Sequence, residues 1–233
     1  RGMGYLISTV GEQPTGDRTS PSATIVLVGC GGTGGFLAEA VCRLLIGRPS
    51  RLYLVDPDRV ESHNVARQAF DPSDVGHFKS EVLALRLARR LQREVGYSVL
   101  PYDRELHAGV FGDAAGDLRL VIGCVDNAAA RRAIAGTLDV PTWNTSRVGR
   151  VWWLDCGNGR SSGQVLLGNA TRPEALRRAF DSAQQICRSL PAPSLQRPDL
   201  LDAPPEFRPQ PDCAEAVADG EQGPTIVRRV TRC

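Results

Sequence analysis

The sequence predicts an α/β protein: a mainly parallel sheet flanked by helices, with an antiparallel hairpin and a long loop beyond it. Three observations predict it. Short apolar, β-branched runs alternate with segments of helical composition, the pattern of a parallel sheet buried on both faces. A glycine-rich turn joins the first such run to the first helix. Late in the alternation two strand-like runs flank a second glycine-rich stretch, which reads as a hairpin.

The elements follow in order. Residues 1–22 are polar and turn-rich, with Gly11, Pro14, Gly16 and Pro21, and read as a lead-in. The first strand starts at Ala23 and runs into Gly29-Cys-Gly31-Gly32-Thr-Gly34. Phe36 to Ile46 has helical composition, and Arg51 to Val55 forms the second strand, ending at Asp56. Residues 57–77 are loop-like, with Pro57, Asn64, Pro72 and Gly76. From Lys79 to Glu94 the apolar spacing of Val82, Leu83, Leu85, Leu87 and Leu91 is helical. Ser98 to Pro101 is read as a third strand, Leu118 to Cys124 as a fourth, Asn127 to Leu138 as a helix and residues 141–145 as a fifth strand. Val151–Asp155 and Gln164–Leu167 form the hairpin. Composition shifts after Gly168. Residues 189–212 hold seven prolines, and a structureless stretch of that length is functional or mobile. The chain therefore divides into the lead-in, a domain over 23–168, and a crossover loop with C-terminal segment over 169–233.

Composition narrows the function. The 233 residues suit one large domain or two small ones. A net charge of +2 argues against bulk electrostatic binding to nucleic acid or membrane. No apolar run reaches the length of a transmembrane helix, and no basic start precedes an apolar signal core. Seven cysteines, Cys30, Cys42, Cys124, Cys156, Cys187, Cys213 and Cys233, are scattered with no C-x-x-C pair. A paired-knuckle zinc site and a disulfide framework are thus not expected, and a reducing, cytoplasmic compartment is. His63, His77 and His107 lack metal-ligand spacing and read as surface or packing residues. Of 28 basic residues, Lys79 is the only lysine. A lysine is a compact point charge where arginine is a planar fork.

The glycine turn has the context a nucleotide fingerprint needs: strand before, helix after. Its glycines permit a tight turn and close approach of backbone to phosphate, at a helix N-terminus carrying partial positive charge. Asp56 lies 22 residues beyond Gly34 at the next strand end, where an acid accepts hydrogen bonds from ribose hydroxyls. These features alone do not separate NAD from ATP. Arg67 and Lys79 do, because a triphosphate needs its charge neutralised and a hydride carrier does not. Asp126, after the fourth strand, is a candidate magnesium ligand or phosphate-facing acid, and equally a helix N-cap, the role the residues alone favour.

Together these residues resemble the ThiF/MoeB/HesA superfamily, the bacterial relatives of ubiquitin-activating enzymes, with a Rossmann-like fold. The matching pieces are Gly29-x-Gly31-Gly32-x-Gly34, Asp56-Pro-Asp58-x-Val60, Asn64-x-x-Arg67-Gln68, Gly76-x-x-Lys79, and Asp126-Asn127 with Arg131. They cover roughly residues 23–168. Within the superfamily, Leu154–Asn158, Gly163–Val165, Val75-Gly76 and Ala214–Ala216 resemble the ThiF-related proteins of PRTRC plasmid cassettes. The resemblance implies binding of ATP and magnesium and adenylation of the C-terminal glycine carboxylate of a small ubiquitin-like or sulfur-carrier protein, with release of pyrophosphate. It implies that Asp56 holds the ribose, that Asn64, Arg67 and Lys79 face the phosphates, and that Asp126 binds magnesium or positions the α-phosphate. Asp58, Gln68 and Asn127 belong to the same ATP-binding set. Arg67, Lys79 and Asp126 are the catalytic candidates. Some members next transfer the acyl group to a crossover-loop cysteine. Cys213 is the candidate here, although neighbouring Asp212 disfavours its thiolate; Cys187 and Cys156 rank behind it, and Cys30, Cys42 and Cys124 read as small core residues. The resemblance also implies a homodimer in which an N-terminal arginine enters the partner's site, Arg1 and Arg18 being candidates by position. Many relatives carry zinc on paired C-x-x-C motifs; this chain has none, so no zinc is expected. A HesA-like dehydratase acting on a tRNA-attached carboxylate, an NAD-dependent oxidoreductase and a non-catalytic nucleotide scaffold are the alternatives.

Overall fold

The structure, a computed structural model, describes residues 4–7, 23–111, 118–139, 151–158, 163–177, 179–181 and 186–202. Among these, seven strands form one sheet: β1 (Gly4–Ile7), β2 (Ala23–Val28), β3 (Ser50–Val55), β4 (Val95–Ser98), β5 (Leu118–Gly123), β6 (Trp152–Asn158) and β7 (Gly163–Gly168). The spatial order is β1-β4-β3-β2-β5-β6-β7. The five central strands are parallel, and β1 and β7 close the two edges antiparallel. The chain moves outward from β2 in one direction through β3 and β4, then returns to build β5 and β6 on the other side. The crevice between β2 and β5 is therefore the topological switch point, where open α/β sheets bind ligands. This is the Rossmann-like architecture the sequence predicts.

The continuous apolar run of β2 is explained by its two buried faces. Ile25 and Leu27 pack with Val41 and Leu45 at the α1 end and with Leu83 and Leu87 of α2 (α1, Gly32–Leu44; α2, Lys79–Leu91). Val26 and Val28 point the other way, into a cluster with Val110 and Phe111 of α3 (Arg104–Phe111), Ile134 of α4 (Ala128–Ala135) and Trp153 of β6. In α1 the buried residues Gly34, Gly35, Ala38, Val41 and Cys42 recur at helical spacing, so packing of this stripe sustains a helix whose first turn is rich in glycine.

Several boundaries differ from expectation, each for a physical reason. Helix α1 begins at Gly32, inside the glycine turn, and α2 stops at Leu91 because Gln92 adopts a left-handed φ of 48°. The third parallel strand is Val95–Ser98, not 98–101. Gly96 obscured it: a Cβ there would sit 2.4 Å from the Tyr53 ring, so the strand interior is glycine because an aromatic ring fills the space. Helix α3 was not expected. It is started by Asp103, whose Oδ1 accepts from Leu106 N at 2.8 Å, and Val110 and Phe111 bury its face. Gly4–Ile7 adds an edge strand within the stretch read as a lead-in. The proline-rich stretch carries two short helical turns, Pro193–Gln196 and Pro198–Leu201. Residues 141–145, Arg1, Arg18 and Cys213 lie outside the described residues.

Candidate functional site

The carboxyl ends of β2, β3 and β5 meet at the glycine turn. Gly29 has φ +90°, and a Cβ there would lie 2.5 Å from the Cys124 carbonyl oxygen. A Cβ on Gly34 would lie 1.8 Å from the Gly29 carbonyl oxygen. These two positions are glycine because the protein's own backbone occupies the space. Gly31 and Gly32 differ. The nearest atoms to a Cβ there are Gln68 Nε2 at 3.8 Å and the Arg67 carbonyl oxygen at 3.9 Å, so internal packing does not demand a bare backbone. A close-approaching ligand would.

Asp56 braces this turn. Its Oδ2 accepts from Cys30 N at 2.6 Å and its Oδ1 from Asp58 N at 2.8 Å. Burial pushes its pKa up, opposed by those two backbone donors and by Lys79. Asp58 is exposed, and its Oδ2 meets Lys79 Nζ at 3.2 Å. Lys79 opens α2 with its side chain 11% exposed, so the one lysine is a largely buried cation at the site edge rather than a solvated surface residue. The next residue, Ser80, donates to the Asp56 and Ser98 carbonyl oxygens at 3.0 and 2.9 Å, locking α2 to the ends of β3 and β4.

The loop after Asp58 sets Arg67 and Gln68. Asn64 is buried; its Oδ1 accepts from Glu61 N at 2.9 Å, while its carbonyl oxygen accepts from Arg67 N and Gln68 N. Asn64 therefore shapes the loop that presents its neighbours. Gln68 lies against Gly31, and its buried Oε1 has no hydrogen-bond partner. A buried polar atom left open beside a bare glycine backbone fits a site built to receive a polar ligand.

Across the switch point, Asp126 is exposed just beyond β5. The cap of α4 is Asn127, whose Oδ1 accepts from Ala130 N at 2.8 Å. The capping role expected of Asp126 thus falls to its neighbour, because the helix starts one residue later, at Ala128. Among the described residues no group of three or more His, Cys, Asp or Glu side chains gathers to hold a metal.

One network was not visible in the sequence. Asp155, fully buried in β6, accepts from Arg131 Nε at 3.1 Å and from Gln164 Nε2 at 3.0 Å. Arg131 also donates to the Val125 carbonyl oxygen at 2.6 Å. This pins the loop carrying Asp126 to the hairpin. Beside it a cleft of about 300 Å³ opens between Thr33, in the first turn of α1, and Cys156, Gly157, Asn158, Gly163, Gln164 and Val165 of the hairpin. Cys30 and Cys42 are buried core residues as expected, but Cys124 is half-buried at the end of β5 and its thiol donates to Cys156 Sγ. That hydrogen bond lowers the Cys156 pKa, while the same bond and burial push Cys124 up. Cys187 is exposed. His107 is a buried packing residue against Phe111.

Comparison with known proteins gives one concordant result. The ThiF family profile matches residues 10–142. Ubiquitin-like modifier-activating enzyme 5 of Branchiostoma floridae is 35% identical over 123 residues, 48% of this chain and 29% of that protein. Adenylyltransferase and sulfurtransferase MOCS3 of Bos taurus is 32% identical over 114 residues, 49% of this chain and 24% of that protein. The chain thus spans less than a third of the length of these curated relatives. Among solved structures, E. coli MccB with ATP is 18% identical with a TM-score of 0.44, covering 85% of this chain and 54% of that one. No helix among the described residues is long and apolar enough to cross a membrane.

Proposed function

The chain belongs to the ThiF family, and from that premise we propose that it is an adenylyltransferase. Its substrates are ATP and the C-terminal glycine carboxylate of a small ubiquitin-like or sulfur-carrier protein. The observation that carries this reading is the bare backbone of Gly31 and Gly32 at the switch point, bordered by Gln68 and by the largely buried Lys79.

The chemistry asks little of a base. The attacking carboxylate is already ionised, so the protein must position it in line with the α-phosphate and neutralise charge on the departing pyrophosphate. In this reading the backbone of Gly31 and Gly32 and the N-terminus of α1 receive phosphate oxygens. Lys79 and Arg67 supply positive charge; Lys79 holds Asp58 until phosphate competes for its ammonium. Ribose hydroxyls meet the exposed Asp58, while Asp56 behind it fixes the turn. Magnesium supplies further charge neutralisation when bound. Asp126 would hold it: a single exposed carboxylate suits an ion that keeps its waters and takes substrate phosphates as ligands. The cleft beside Thr33 suits the glycine end of the partner, being lined by Gly157 and Gly163, which leave room for a close-approaching chain. A later thioester step falls to Cys213, and the working form is a homodimer, as the family resemblance implies.

The experiment is isotope exchange between pyrophosphate and ATP, run with a glycine-ended ubiquitin-like protein. Wild type should exchange label only when that partner is present. Arg67→Ala and Lys79→Ala should each lose the exchange with unchanged far-UV circular dichroism. Wild-type exchange in both variants would remove the phosphate-binding assignment.

A further inference from the structure

Cys156 in the cleft wall and Cys124 beside it, just past the end of β5, have no assigned part in adenylation. Strands β5 and β6 run parallel with Ile122 opposite Leu154 and Gly123 opposite Asp155. Cys124 is therefore the next residue along, opposite Cys156. Neighbouring strands lie about 4.8 Å apart, inside the range of about 4.4–6.8 Å that a disulfide spans between Cα atoms. Opposite residues of paired strands project to the same face, and both cysteines pack against the same apolar cluster. Both residues are partly exposed, and Cys156 lines the cleft, where a small molecule can reach it. Cys30 and Cys42, by contrast, are sealed in the core.

We propose that Cys124 and Cys156 form a vicinal dithiol that a small-molecule disulfide, such as oxidised glutathione, converts to an intramolecular disulfide in the wall of the cleft. Cys156 reacts first because it faces the opening. Its thiol gives up a proton, and the thiolate attacks one sulfur of the small disulfide. That S–S bond breaks, a mixed disulfide forms on Cys156, and one glutathione thiolate leaves. Cys124 then gives up its proton and attacks Cys156 Sγ, expelling the second glutathione thiolate. Two protein thiols are oxidised, one small disulfide is reduced to two thiols, and the two protons end on the released thiolates. This chemistry needs only the two thiols and holds whether or not the chain adenylates a partner.

The test is to treat the full chain with oxidised glutathione, quench in acid, alkylate free thiols and map the peptides by mass. Wild type should yield a Cys124–Cys156 linked peptide that dithiothreitol reverses. Cys124→Ser should stop at the intermediate, with glutathione retained on Cys156. Cys156→Ser should slow modification of Cys124 at least tenfold. Exposed Cys187 is the internal control for reagent activity. Glutathione on Cys187 with neither a link nor an adduct at Cys156 would overturn the proposal. So would adducts on Cys124 and Cys156 of wild type that persist without linking.

Discussion

Asp56 follows β3 and Asp155 lies in β6, on opposite sides of the glycine turn, and both carboxylates are buried. Asp56 is held by two backbone N–H groups, from Cys30 and Asp58. Asp155 is held by side chains, the Arg131 guanidinium and the Gln164 amide. The first arrangement ties an acid to the turn it shapes, with a cation nearby but committed to Asp58. The second buries a full ion pair that links α4 to the hairpin. Each buried acid fixes the loop that presents an exposed acid, Asp58 on one side and Asp126 on the other. The difference teaches that a carboxylate at a strand end can brace a turn through backbone or side-chain donors while a neighbouring acid stays exposed.

The largest effect should come from breaking the ion pair. Asp155→Leu leaves Arg131 charged and buried, and removing one partner of such a pair costs about 3–5 kcal/mol. Urea unfolding should show that loss, and Arg131→Met added to Asp155→Leu should recover most of it. A double variant as unstable as the single would show that the charge pair is not what holds the hairpin.

A buried group away from both acids supplies the next comparison. Burial lowers the His107 pKa from 6.5 to about 4. The unfolded chain therefore takes up a proton below pH 6.5 that the folded chain refuses until about pH 4. Stability from this group is full above the unfolded value and is lost as pH falls through that window, by about 3 kcal/mol in total. The slope of unfolding free energy against pH in this range should flatten in His107→Gln; an unchanged slope would refute the assignment.

Asp56→Asn should be milder than the Asp155 change, about 1–2 kcal/mol at neutral pH, because one acceptor oxygen remains. The Asp56 pKa is raised in the folded protein. The folded chain thus takes up this proton before the unfolded chain does, and stability gained from it is present at low pH and lost as pH rises through the folded value. The wild-type advantage over Asp56→Asn should therefore widen on acidification toward pH 3.8. A gap that narrows would mean the backbone donors outweigh burial. The smallest stability change belongs to Lys79→Ala, under about 1 kcal/mol in thermal or urea unfolding, since its partner Asp58 is 67% exposed.

The strand-helix alternation, the glycine turn and the acids after it were legible because each is local: a period, a spacing or a turn residue. The Asp155–Arg131–Gln164 network was not, since its members come from three elements and a buried ion pair has no local pattern. Strand β4 was misplaced because Gly96 weakens strand propensity, and only the Tyr53 ring across the sheet explains it. Helix α3 left a readable signal in Asp103, Leu106, Val110 and Phe111, an N-cap followed by helical spacing. Edge strand β1 becomes a strand through its pairing with β4, which composition does not encode. Cys124 read as core because its neighbours in sequence are apolar; it does pack against the core, but β5 ends just before it and leaves it partly exposed.

The most direct test of the central claim is calorimetric titration of magnesium–ATP and of NADH into wild type and Lys79→Ala. The account predicts that ATP binds wild type, that Lys79→Ala weakens it at least tenfold, and that NADH gives no heat. NADH binding that is indifferent to Lys79 would contradict the account and make the glycine turn a redox-cofactor site.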